Sequence, residues 1–122
     1  MSTILVVDDD PQIRSLLRGL LAAEGHQVVE AKDGNEGLAC FHRVHPDLVV
    51  LDIYMPDREG LETTLLLRKS DPAVKILAIS GGVPGGLDVC HLGKAFGAQV
   101  TLMKPFSAEE FRERVERLLN TV

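Results

Sequence analysis

Residues Ile4–Asp10 read ILVVDDD, four apolar residues followed directly by three aspartates. Three later apolar runs also stop at one polar residue that could take part in chemistry: Leu48–Leu51 at Asp52, Ile76–Ile79 at Ser80, and Val100–Met103 at Lys104. Short runs that are apolar on both faces are typical of strands buried between two helix layers, so they predict a parallel sheet. Because parallel strands all end at the same edge of a sheet, these four segments predict one polar site at that edge.

Helical patterns fill the gaps between the apolar runs. Asp10 is a suitable N-cap for a helix that starts at Pro11 and ends near Gly25, and Ser107 opens the last helix with a capping box. The shorter, more polar run Val28–Val29 suits an edge strand. Further helices are predicted over 34–41, 61–70 and, most weakly, 87–96. Alternating strands and helices predict an α/β fold, a doubly wound five-stranded parallel sheet with helices on both faces.

The composition is that of an ordinary globular protein. With 122 residues, 45% of them hydrophobic and 25% charged, the chain is expected to form one domain over 1–122, without an attached output domain. A net charge of −5 and no dense basic run argue against direct nucleic-acid binding. No apolar stretch is long enough for a bilayer, and no basic segment precedes the first one, so a cytoplasmic protein without membrane contact is expected. Cys40 and Cys90 fit no zinc motif and are expected to be free thiols.

The predicted edge site carries more negative charge than it can tolerate alone. Two like charges ~4 Å apart cost on the order of 4 kcal/mol at an effective dielectric of ~20, so clustered carboxylates require cations. Lys104 supplies one, and oxygen-only ligands favour Mg²⁺ for the rest. A lysine and Mg²⁺ beside a carboxylate suit phosphoryl transfer. Asp52 stands alone after a central strand and is the expected nucleophile, whereas Asp8 and Asp9 are better placed as metal ligands.

Three blocks of the sequence resemble the signature of response-regulator receiver domains of the CheY-like family. They are Ile4–Asp10, Leu51–Pro56 with Gly60, and Lys104–Phe106. In their order and spacing they extend the resemblance over essentially the whole chain. The resemblance implies a flavodoxin-like fold with strand order 2-1-3-4-5 and a role in two-component signal transduction.

The resemblance also implies how the acidic residues act. Asp52 matches the phosphoacceptor, which forms an acyl phosphate. Asp9 matches the direct ligand of Mg²⁺, and Asp8 matches the acid that usually acts through a metal-bound water. The backbone carbonyl of Tyr54 matches the third protein ligand of the metal.

Two further residues match groups that contact the phosphoryl group. Ser80 corresponds to the hydroxyl and Lys104 to the ammonium, and Pro105 occupies a position that typically follows a cis peptide bond. The implied phosphodonor is a sensor histidine kinase or a histidine phosphotransfer protein, and the phosphorylated form would bind a downstream protein target. Such a domain is not an enzyme beyond catalysing its own phosphotransfer and dephosphorylation.

Two departures from the family pattern concern how the signal reaches the surface. Thr101 stands where the family usually has a Tyr or Phe that rotates on activation. The segment Gly81–Gly86 is unusually rich in glycine. We therefore expect this loop and the weak helix after it to carry the conformational change, by a change in backbone order.

Other interpretations compete with the receiver. A small Mg²⁺-dependent phosphatase would use an Asp-x-Asp pattern after the first strand, and Asp8-x-Asp10 offers one, although Pro11 follows and the chain is short. A scaffold that keeps the fold without taking phosphate is a further alternative. The pair His42-x-x-His45 has metal-ligand spacing, but Pro46 follows it, which favours a solvated helix end.

Overall fold

The computed structural model describes residues 2–53, 59–80 and 97–120. Within them strands and helices alternate as predicted up to the fourth strand. The predicted helix over 87–96 and the loop Gly81–Gly86 lie outside the described residues. The five strands and four helices of the described part are β1 (Thr3–Val7), α1 (Pro11–Ala23), β2 (Gln27–Ala31), α2 (Gly34–Val44), β3 (Leu48–Asp52), α3 (Glu59–Ser70), β4 (Ile76–Ser80), β5 (Val100–Met103) and α4 (Ala108–Leu119).

The strands form one parallel sheet in the order β2-β1-β3-β4-β5, which confirms the predicted topology. Successive side chains of a strand point to opposite faces, so each strand contributes to two cores. On one face Leu5 and Val7 pack with buried residues of α2 and α3. On the other, Ile4 and Val6 pack with buried residues of α1 and α4. β2 lies at an edge, as predicted, and its central residues are only half-buried.

Local signals place the helix ends. The Asp10 side chain accepts a hydrogen bond from the Gln12 amide and caps α1, and Gly25 follows the helix with a φ of 87°. Both bonds of the capping box form at the start of α4. α2 runs to Val44, beyond the predicted range 34–41, and stops where His45 adopts the left-handed conformation with a φ of 51°. The pair of histidines therefore belongs to a helix end, as the sequence indicated.

The described residues also bear on the predictions about cysteines and membrane spans. Cys40 is buried and free, while Cys90 lies outside the described part. Among the helices of the described residues, none has both the length and the apolar character that a membrane span requires.

Candidate functional site

Four strand ends deliver polar side chains to the carboxyl edge of the sheet. Asp8 follows β1, Asp52 and Ser80 are the last residues of β3 and β4, and Lys104 follows β5. Asp8, Asp52 and Ser80 are all buried, with 1%, 5% and 2% of their surface exposed. Buried polar residues at the ends of otherwise apolar strands mark a site. The structure thus brings Asp8, Asp52 and Lys104 together, whereas Tyr54 lies outside the described residues.

The carboxylates form a cluster around one lysine. Asp8, Asp9 and Asp52 each offer an oxygen, and these three atoms lie within 4.8 Å of one another. Lys104 Nζ is 3.5 Å from Asp52 Oδ2 and 3.9 Å from Asp8 Oδ2. Asp9 is exposed, so the cluster opens to solvent on its side. Lys104 therefore contacts two of the three carboxylates, those of Asp8 and Asp52.

Asp8 has one oxygen that accepts a hydrogen bond from the described residues and one that does not. Its Oδ1 accepts a hydrogen bond from the Asp10 amide at 2.9 Å. Its Oδ2 is buried, and no donor in the described part of the chain forms a hydrogen bond to it. The pKa of Asp8 is raised from 3.8 to about 6. Burial is the largest cause, and the charges of Asp52 and Asp9 add to it, while the Asp10 hydrogen bond and Lys104 act in the opposite direction. The protein therefore keeps an under-satisfied carboxylate at this position.

These residues fit a small, hard divalent cation. Mg²⁺ binds oxygen ligands at ~2.1 Å, so two oxygens on one ion lie up to about 4.2 Å apart. The spacing of the three carboxylates, within 4.8 Å, is close to that limit. A cation would also satisfy the buried Asp8 Oδ2 and offset the repulsion that raises its pKa. The cluster could thus hold a metal, with Asp8, Asp9 and Asp52 as its described ligands.

Backbone contacts fix Lys104 and Ser80 relative to each other. The Lys104 amide donates a 2.7 Å hydrogen bond to the Ser80 carbonyl, which continues the pairing of β4 with β5 beyond Met103. The peptide bond between Lys104 and Pro105 is cis, as the family resemblance implied. Thr101 is half-buried on β5, and its carbonyl accepts a 3.5 Å hydrogen bond from Arg114 Nη1.

Gly60 supports the site in a way that the sequence did not reveal. It was part of a quoted motif but had no assigned role. A Cβ atom at this position would overlap the Asp52 carbonyl oxygen and lie 2.5 Å from Ile53 Cα. The first turn of α3 therefore packs directly on the backbone that carries Asp52, and only glycine leaves room for this approach.

Arg14 is a second contributor that sequence reasoning missed. Its Nη1 donates a 2.6 Å hydrogen bond to the Asp8 carbonyl, and its Nε lies 3.5 Å from Glu30 Oε1. Arg14 sits on the helix face next to the leucine stripe, where an arginine suggests only a solvated side chain. A contact between α1, β1 and β2 depends on the tertiary packing, so helical periodicity could not have shown it.

Comparisons with known proteins agree with this geometry. The family model described as response regulator receiver domain matches residues 4–116. The chain is 38% identical over 123 residues to the probable transcriptional regulator ycf27 of Porphyridium aerugineum, covering 98% of this chain and 48% of the relative. It is 34% identical over 117 residues to the probable transcriptional regulatory protein TcrX of Mycobacterium tuberculosis, covering 96% of this chain and 49% of the relative. The chain thus spans about half the length of these relatives.

Two solved receiver structures resemble this chain over nearly all of their length. The receiver domain of NtrX from Brucella abortus superposes with a TM-score of 0.89 at 36% identity, covering 98% of this chain and 99% of that one. A CheY-like receiver domain protein from Methanospirillum hungatei gives a TM-score of 0.89 at 30% identity, covering 98% and 94%. With the sheet order and the acidic strand ends already described, these matches show that the chain belongs to the response-regulator receiver domain family of two-component signalling.

Proposed function

We propose that this chain accepts a phosphoryl group on Asp52 in a Mg²⁺-dependent reaction and thereby switches the binding of a downstream protein. The observation that carries the proposal is the position of Asp52, 5% exposed, with Lys104 Nζ 3.5 Å from its Oδ2. A carboxylate at the end of a central strand, paired with one ammonium and close to two other acids, is suited to receive a group that brings negative charge and a cation with it.

In the proposed reaction a carboxylate oxygen of Asp52 attacks the phosphorus atom of a phosphohistidine. The new P–O bond forms as the P–N bond breaks, and the electron pair of that bond returns to the imidazole. Bound Mg²⁺ would supply positive charge to the phosphoryl oxygens. Lys104 pairs with the same oxygens, and the Ser80 hydroxyl donates a hydrogen bond to them. The chain thus catalyses only its own phosphotransfer and dephosphorylation.

The metal would be held by residues of two segments, one after β1 and one at the end of β3. As the family pattern implies, Asp9 would bind it directly, Asp8 would act through a water molecule, and Asp52 would supply the oxygen that is not phosphorylated. The Tyr54 carbonyl, which lies outside the described residues, completes the set that the family pattern implies. The under-satisfied Asp8 Oδ2 supports this assignment, because a cation nearby removes the cost of burying it.

The partners follow from the chemistry and from the relatives. The phosphodonor is a sensor histidine kinase or a histidine phosphotransfer protein, and the chain works in the cytoplasm as a receiver domain over 1–122. The relatives ycf27 and TcrX are named as transcriptional regulators, and this chain covers about half of each. This chain has a net charge of −5, which does not favour contact with DNA. In a transcriptional regulator of this kind we therefore assign DNA contact to the half of the protein that this chain does not match.

A Mg²⁺-dependent phosphatase is less well supported. It would need both acids of Asp8-x-Asp10, but the Asp10 side chain caps α1 by accepting a 2.9 Å hydrogen bond from the Gln12 amide. The receiver uses Asp52 instead, so substitution of that residue separates the two functions.

The test is incubation with Mg²⁺ and acetyl phosphate, followed within seconds by acid quench and intact mass. Wild type should gain one phosphoryl group, and the gain should disappear in Asp52→Asn and in EDTA. Asp33→Asn is the matched control, because Asp33 also follows a strand but caps α2, where asparagine caps equally well. It should be phosphorylated like wild type.

The other outcomes are equally clear. No gain in wild type, at a quench time that catches labile acyl phosphates in a known receiver run alongside, would point to a scaffold that does not take phosphate. A gain that survives Asp52→Asn but is lost in Asp8→Asn would favour the phosphatase.

A further inference from the structure

A chain of polar contacts links the edge strand β2 to the acidic cluster. Glu30 of β2 accepts a 2.7 Å hydrogen bond from Arg18 Nη1 and lies 3.5 Å from Arg14 Nε. Arg14 alone of these two arginines reaches further, and its Nη1 donates a 2.6 Å hydrogen bond to the Asp8 carbonyl. The Arg14 side chain is 18% exposed, compared with 58% for Arg18. The two arginines share an acceptor but differ in their contact with the site.

Three of the four polar groups of Asp8 are held by named partners. Its amide donates to the Ala31 carbonyl at 3.1 Å, and its Oδ1 accepts from the Asp10 amide at 2.9 Å. Its carbonyl accepts from Arg14. The fourth group, Oδ2, has no hydrogen-bond donor in the described residues and lies 3.9 Å from Lys104 Nζ. The backbone of Asp8 is therefore fixed on both sides, and this orients the remaining oxygen.

We propose that Arg14, oriented by Glu30, is a positioning residue that holds the Asp8 backbone so that its Oδ2 faces the metal position. This inference rests on the proposed function and identifies how one of its acids is placed. Arg14 acts through the backbone carbonyl and not through its charge on the carboxylate. A guanidinium can meet Glu30 through Nε and the carbonyl through Nη1 at once, whereas a lysine ammonium at the same position can serve only one of them well.

A carboxylate that is present but not held in position binds a metal ion more weakly than one that is fixed. Removal of a group that orients a metal ligand typically lowers metal affinity about 10-fold to 100-fold. Without Arg14 the buried Asp8 carbonyl loses its donor, and the turn from Asp8 to Asp10 is free to shift by the fraction of an ångström that the metal does not tolerate. Arg18 has no such contact, so its loss leaves the turn in place.

The experiment compares Arg14→Gln, Arg14→Lys and Glu30→Gln with Arg18→Gln as the matched control. Mg²⁺ dissociation constants are measured by calorimetry on the folded proteins, and urea unfolding in EDTA gives their stability separately. Arg14→Gln should weaken Mg²⁺ binding about 10-fold. Arg14→Lys and Glu30→Gln should lie between that value and wild type, and Arg18→Gln should stay within about 2-fold. With acetyl phosphate, Arg14→Gln should raise the Mg²⁺ concentration for half-maximal rate and recover most of the rate at saturation.

Two results would overturn the inference. A purely structural Arg14 would lower the urea midpoint of Arg14→Gln and leave its Mg²⁺ affinity within 2-fold of wild type. An equal loss of affinity in Arg14→Gln and Arg18→Gln would show that only the charge balance around Glu30 matters. In both cases wild type still binds Mg²⁺ and is phosphorylated on Asp52. If wild type itself binds no Mg²⁺, the proposed function fails and this inference fails with it.

Discussion

The two edges of the sheet treat their polar groups in opposite ways. At the amino edge they satisfy one another: Asp47 Oδ2 accepts from the Thr3 amide at 2.9 Å, and Gln99 bonds the Ile76 amide at 2.8 Å and the Val74 carbonyl at 2.9 Å. At the carboxyl edge Asp8 Oδ2 is buried, and no donor in the described residues bonds to it. One edge holds the strands together, and the other keeps an unfavourable carboxylate that the proposed Mg²⁺ would stabilise.

The difference shows which polar groups exist for folding and which for function. A hydrogen bond between a side chain and a strand backbone contributes about 0.5–1.5 kcal/mol, and the amino edge uses several. A buried acid whose pKa is raised does the reverse and lowers stability at neutral pH. Substitutions at the two edges should therefore differ in sign, in pH dependence and in their effect on metal binding.

The largest effect is expected where the carboxyl edge is most crowded. Gly60→Ala should destabilise the protein by about 3 kcal/mol, because its Cβ would meet the backbone of Asp52 and Ile53, which cannot rotate away. Gly19→Ala is the control: it lies in α1 with nothing within 4 Å of its Cβ, and should gain about 0.5–1 kcal/mol. Urea unfolding in EDTA measures both. Equal stabilities for the two variants would show that the start of α3 yields and that the carboxyl edge is not tightly fixed.

The second prediction concerns pH. The pKa of Asp8 is about 6 in the folded protein against an ordinary 3.8, so between these values the folded state binds more protons than the unfolded state. Stability must then fall as pH rises through 4 to 6 and level off above 7. From pH 4 to pH 7 this group should remove about 2 kcal/mol.

Asp8→Asn provides the reference for that measurement, since the other carboxylates titrate in both proteins. The difference in unfolding free energy between wild type and variant, measured in EDTA, should change with pH as described. Addition of Mg²⁺ at pH 7 should raise the unfolding free energy of wild type more than that of the variant, which keeps Asp9 and Asp52 but lacks the third acid. If the difference in unfolding free energy between wild type and Asp8→Asn is constant from pH 4 to pH 7, the Asp8 carboxylate is not destabilised in the folded protein.

The third prediction compares the same substitution at both edges at pH 7 in EDTA. Asp8→Asn should stabilise the protein by about 1–2 kcal/mol, because it removes a buried charge repelled by Asp52 and Asp9. Asp47→Asn should destabilise it by about 0.5 kcal/mol, because the bond from the Thr3 amide becomes neutral. Urea midpoints at constant slope test the pair. A loss of stability in both variants would mean that the two edges do not differ as proposed.

The sequence predicted the polar strand ends and the caps of α1 and α4, because each depends on residues that are neighbours in the chain, whereas the strand order came from the family resemblance. It missed the roles of Arg14 and Gly60, which arise only when α1 and α3 pack against the sheet. It also gave no sign of the contact of His26, which is half-buried and accepts a 3.3 Å hydrogen bond at Nδ1 from the Ser2 amide. Contacts between segments far apart in the chain leave no periodic signal, so local patterns do not reveal them.

An effect smaller than that of Asp8→Asn is expected from a single atom at the amino edge. In Gln99→Glu the oxygen that accepts from Ile76 remains, but the group that donates to the Val74 carbonyl becomes an oxygen that repels it. The loss of unfolding free energy should be about 1 kcal/mol at pH 7, and it should shrink at pH 4, where a protonated carboxyl can donate again.

Gln27→Glu is the control at the same edge. The Gln27 side chain lies 3.5 Å from the Thr3 hydroxyl, which can donate to an amide or a carboxylate oxygen, so stability should change little. Mg²⁺ affinity should stay within about 2-fold of wild type in both variants, since neither touches the acidic cluster. A weakened Mg²⁺ affinity in Gln99→Glu would show that the two edges are coupled through the strands, and that the amino edge also helps to place the carboxylates.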